Sequence, residues 1–123
     1  MDDNRGFTLI EMMTVIAIIG ILASIATPNF MRSIVRAREA SLRNTLFVVR
    51  DVIDQYYADN GTYPESLQVL KENGYIRKVP VDPITTGTDW ILILYEGEGA
   101  VGIYDIHSSS RKISLYGTPY NEW

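Results

Sequence analysis

His107 is the only histidine in the sequence, and it stands beside Ser108, Ser109 and Ser110 with Asp105 two residues before it. A hydroxyl nucleophile, an imidazole base and an orienting carboxylate are the parts of a hydrolytic triad. Closeness in sequence does not assemble one, because the three groups must meet in space with the imidazole in the middle. Asp105 and His107 share a face if they lie on a strand, and a Ser-rich run is ordinary turn chemistry. Catalysis is therefore not expected. The absence of cysteine removes thiolate nucleophiles, thiolate metal sites and disulfides. No phosphate-binding glycine loop is present either. Phe7, Phe30, Phe47, Tyr56 and Tyr57 could be read as a conducting aromatic path, but their spacing fits ordinary helix packing at least as well. The residue that most needs a chemical reason is Glu11. It is the single charge in the run from Phe7 to Thr27. A carboxylate at the centre of such a helix costs about 2.5–3.5 kcal/mol on insertion, and less near an interface. It needs a counter-charge or a position at the edge of the apolar layer.

The element that positions Glu11 is that run itself. As a helix, residues 7–27 span about 30 Å, the thickness of a bilayer core. A buried helix in a small soluble protein would keep a polar face, and this run has almost none. A cleaved secretory signal is the rival reading. Against it, residues 1–6 hold one Arg and two Asp, and the run is long for a signal's apolar region; Ala23–Ala26 could mimic a cleavage site. With 11 Lys+Arg against 15 Asp+Glu the net charge is −4. That argues against a nucleic-acid surface, which needs clustered positive charge.

Residues 28–59 read as a second, amphipathic helix. Leu42, Leu46, Val49, Ile53 and Tyr56 recur at alternating spacings of four and three, which draws one apolar stripe. Asn60-Gly61 supplies the stop. In residues 60–123, Thr62 and Glu65 have capping-box spacing and Pro64 suits a first turn, which predicts a short helix over Glu65–Asn73. Trp90–Glu96, Ala100–His107 and Lys112–Tyr116 are strand candidates for an antiparallel meander. The fold class expected is α+β, with a long N-terminal helix packed on a small antiparallel sheet. A head of this size struggles to build a core alone, and the stripe on residues 42–56 supplies what it lacks. Nothing is left to cover residues 7–27, so lipid or other subunits must do it.

Arg5-Gly6-Phe7-Thr8-Leu9-Ile10-Glu11 followed by an uncharged run resembles the processing signal of type IV prepilins and pseudopilins. The resemblance implies a leader over residues 1–6, cut by a prepilin peptidase between Gly6 and Phe7, and methylation of the new amine. It implies that Glu11 pairs with the Phe7 amine of a neighbouring subunit during assembly; without it, Glu11 would read as an acid lifted into the head-group layer. A proline after the apolar run also matches. Pro28 removes a donor and crowds the carbonyl of Ser24. With Gly20 upstream, residues 21–27 become a weak stretch, read either as a plain kink or as a segment that unwinds in the filament.

The head resembles the major, G-type pseudopilin of type II secretion systems. The residues that carry this are Asp59-Asn60-Gly61-Thr62-Tyr63-Pro64, Gly74-Tyr75-Ile76 and Val79-Pro80-Val81-Asp82-Pro83. Gly102–Ser108 and Gly117-Thr118-Pro119-Tyr120 add to it. The implied role is a structural subunit that polymerises through its N-terminal helices into a short filament driving protein export. The alternative is a type IV pilin of a surface filament used for adhesion, motility or DNA uptake. The implied partners are other copies of the chain, the prepilin peptidase, an inner-membrane assembly platform with its ATPase, and minor pseudopilins. The implied location is the bacterial inner membrane, single-pass, with the head in the periplasm. Arg32, Arg36 and Arg38 follow the run and only Arg5 precedes it, so charge alone favours the opposite orientation. These arginines are expected to meet lipid phosphates or acidic groups on neighbours such as Glu39 or Asp51. No cofactor is expected. G-type subunits often bind calcium in a C-terminal loop, but after Asp89 the only carboxylates here are Glu96, Glu98, Asp105 and Glu122. Asp105 and Ser108 could be ligands or turn formers; the metal assignment stays open.

Overall fold

The computed structural model describes residues 6–123, with the side chains of Ala100 and Val101 left aside. Residues 1–5, most of the expected leader, lie outside the described residues. One long helix dominates: α1, Leu9–Asn60, 52 residues. The chain forms two compact units, residues up to Val35 and residues from Arg36 onward.

In the first unit Thr8 starts the helix. Its hydroxyl accepts from the Glu11 amide at 3.2 Å and its carbonyl from the Met12 amide at 3.2 Å. That is N-capping, and it places Glu11 in the first turn, where the positive end of the helix dipole favours an acid. The helix runs without interruption through Gly20 and Pro28. The two helical stretches that meet at residues 27 and 28 thus form one continuous element.

The second unit is built on the stripe. Leu42, Leu46, Val49, Val52 and Ile53 of α1 form the core with Leu67, Leu70, Trp90, Ile103, Ile106 and Tyr120. The next element, α2 (Leu67–Glu72), is shorter than the predicted Glu65–Asn73 helix. Its cap is Ser66, whose hydroxyl accepts from the Val69 amide, not Thr62. Two strands follow, β1 (Ile91–Gly97) and β2 (Ala100–His107), antiparallel, with Glu98-Gly99 as the turn. A bulge at Tyr104 shifts the register between Ile93 and Leu94.

Where the sequence predicts a third strand over Lys112–Tyr116, the structure has one isolated bridge, Ile113 to Pro119. The reason lies in Ser114. Its hydroxyl accepts from the Tyr116 and Thr118 amides, and its carbonyl accepts from Gly117. These donors close a turn and are lost to a ladder. The sheet therefore has two strands among the described residues, and the fold is α+β as expected.

Candidate functional site

Every residue from Gly6 to Ser33 is exposed. Phe7 and Leu9 are each 78% exposed, Ile10 73% and Ile16 68%. The hydroxyls in this stretch are satisfied within the helix. Thr14 donates to the Ile10 carbonyl, Ser24 to Ile21, Thr27 to Ala23 and Ser33 to Asn29. An apolar exterior with its hydroxyls turned onto its own backbone suits a medium without water. Glu11 is the one charged side chain between Phe7 and Thr27. It lines a shallow hollow of about 300 Å³ with Phe7, Ile10, Thr14 and Val15, so a carboxylate stands at the edge of an otherwise apolar surface.

The residues that suggested hydrolysis do not assemble. The Ser108 hydroxyl is buried and donates to the Asp82 carboxylate. His107 uses Nδ1 on the Trp123 carbonyl at 2.6 Å, and its Nε2 lies 3.7 Å from Asp105. Among the described residues no hydroxyl nucleophile meets the imidazole. Asp82 instead organises the loop before β1, its other oxygen accepting from the Ile84 and Thr85 amides. Asp105 pairs with Arg50 at 2.7 Å.

Glu39 was expected to serve neighbouring subunits, and the structure corrects that. It is 3% exposed, and its Oε1 accepts from the Leu115 amide and the Tyr120 hydroxyl, each at 2.8 Å. Burial, then the Glu39 bond, pushes the Tyr120 hydroxyl up to about 12. Asp51 accepts from Gln55 of its own helix. Glu39 was detectable in the sequence: it continues the stripe three residues before Leu42, and an acid on an apolar stripe needs a partner. Arg50 gave no such signal, because its partners Asp105, Ile106 and Trp123 are more than fifty residues away.

Comparison with known proteins bears on the same residues. The prokaryotic N-terminal methylation motif matches residues 1–27. Type II secretion system core protein G of Escherichia coli (strain K12) is 34% identical, over 88% of this chain and 82% of its own length. The chain is a member of the type II secretion core protein G family.

The Klebsiella pneumoniae relative of that name is also 34% identical, over 86% of each chain. That of Vibrio cholerae is 28% identical, over 91% of this chain and 86% of its own. No solved structure matches. For a core protein G family member, the segment covered by the methylation motif is the segment whose side chains are all exposed from Gly6 onward. Gly6 and Phe7 stand before the helix, Glu11 in its first turn, and Gly20 and Pro28 inside it. The structure brings Phe7 and Glu11 to one hollow and leaves Gly20 and Pro28 further along the helix.

Proposed function

We propose that this chain is a structural subunit of a type II secretion pseudopilus. It is cut between Gly6 and Phe7 by a prepilin peptidase and methylated at the new amine. It waits in the inner membrane as a single-pass protein with its head in the periplasm. It then polymerises through residues 7–27, with energy supplied by an assembly-platform ATPase. The observation that carries this reading is the unbroken exposure of an apolar helix from Leu9 to Thr27, with one acid in its first turn. Exposed apolar area on that scale is met by lipid or by other subunits.

Glu11 has a role in both states. In the membrane it sits at the end of the span, where a carboxylate costs least. On assembly it takes the Phe7 amine of a neighbour, a counter-charge that processing itself creates. Identity that extends across the head as well as the N-terminal motif supports the secretion branch over a surface pilus. N-terminal sequencing and intact mass of the mature protein test the proposal. A methylated Phe7 start supports it; a start after Ala23–Ala26, as a conventional signal would give, rejects it.

A further inference from the structure

Calcium takes six to eight oxygens, several from carboxylates. From Ser108 to Trp123 the only carboxylate side chain is Glu122, and Arg111 and Lys112 add positive charge. The aspartates that precede this segment are already engaged. Asp105 holds Arg50, and Asp82 accepts from Ser108, Ile84 and Thr85. Asp89 accepts from Ser109 and Thr85. Among the described residues no three His, Asp or Glu side chains gather as a metal site. The donors present do not fit a calcium ion.

What fastens the segment comes from one helix. Glu39 of α1 accepts from the Leu115 amide and the Tyr120 hydroxyl, both at 2.8 Å. One turn on, the Arg43 guanidinium lies 4.6 Å from the Tyr116 ring centre and 4.7 Å from that of Trp123. Two turns further, Arg50 donates to the Trp123 carbonyl at 2.7 Å and to Asp105 at 2.7 Å. An anion thus meets the segment's donors, and two cations meet its rings and carbonyl.

We propose that Glu39, Arg43 and Arg50 are a built-in fastener for residues 112–123, doing from the helix what a bound cation would do, so that the head keeps its fold without divalent metal. The inference concerns the head alone and stands or falls separately from the secretion reading. The test uses the full chain in detergent micelles, stripped with EDTA and melted by tryptophan fluorescence with and without added calcium. A stabilising site would raise Tm by about 10 °C or more at a hundredfold excess over its Kd. The expected result is no calcium-dependent shift. Glu39→Gln and Arg43→Ala are each expected to lower Tm by several degrees, and Glu39→Gln to speed exchange of the Leu115 amide. A calcium-dependent rise that EDTA reverses would overturn the proposal, as would variants whose Tm and Leu115 exchange match the parent's. If Glu39→Gln does not fold, the calcium titration of the parent and the exposed Arg43→Ala variant still decide.

Discussion

Gly102→Ala is the substitution whose cost is most directly worked from the geometry. Gly102 sits at φ +136°, a conformation side chains rarely adopt. An added Cβ would lie 2.5 Å from the Tyr63 carbonyl oxygen and 2.7 Å from that of Pro64. Both are backbone atoms, and the neighbouring Ile103 amide is tied to the same Pro64 carbonyl at 2.7 Å. Neither side can give without breaking that link between β2 and the loop after α1. Backbone strain contributes about 1–3 kcal/mol and overpacking a similar amount. A loss of about 4 kcal/mol is the reasonable sum. For a head of this size each kcal/mol moves Tm by roughly 4–8 °C, so a fall of about 20 °C is expected. Gly117→Ala is the control. Gly117 has φ +84° but nothing within 4 Å of its would-be Cβ, so only strain remains, about 1–2 kcal/mol. The assay is a tryptophan-fluorescence melt of the full chain in detergent, which reads the buried Trp90. Equal losses from the two substitutions would refute the close-approach argument.

The remaining predictions concern the head's charges and the helix start. The Tyr120 hydroxyl is raised from 10.0 to about 12 in the folded chain by burial and then by Glu39. Its contribution to stability is therefore full below pH 10 and lost as pH rises through 12; denaturant titrations across that range should show the loss, and Tyr120→Phe should flatten it. Arg50→Met removes bonds to Asp105, Ile106 and Trp123; because the side chain is 37% exposed, a cost of about 2 kcal/mol is expected in a urea melt. Glu11→Ala should leave membrane insertion intact and abolish incorporation into filaments, read by membrane fractionation and by sedimentation of sheared filaments. Normal incorporation of that variant removes the assembly role of Glu11.

Much of this molecule could be read from residue order, for physical reasons that differ along the chain. The stripe Leu42, Leu46, Val49, Ile53 is local information, and all four residues are in the core. β1 and β2 are short apolar runs joined by a glycine turn, and both form within a residue of the expected bounds. The third strand failed because one hydroxyl, that of Ser114, outcompeted a ladder for backbone donors. The α2 start moved because Ser66, not Thr62, captured the helix amides. The cap by Thr8 went unread although Thr8 and Glu11 have the spacing of a capping box, because the apolar run masked an ordinary helix start. The fastener built by Glu39, Arg43 and Arg50 was largely beyond local reading. Its partners lie at the far end of the chain, and only the acid on the apolar stripe hinted at it.

Fractionation of the intact, uncleaved chain in the absence of detergent tests the main claim most directly. A helix exposing Leu9–Thr27 should carry the protein into the membrane fraction and hold it there through an alkaline carbonate wash. Recovery of that chain as a freely soluble monomer would mean that it hides those side chains by itself, and neither bilayer nor sister subunit would then be needed.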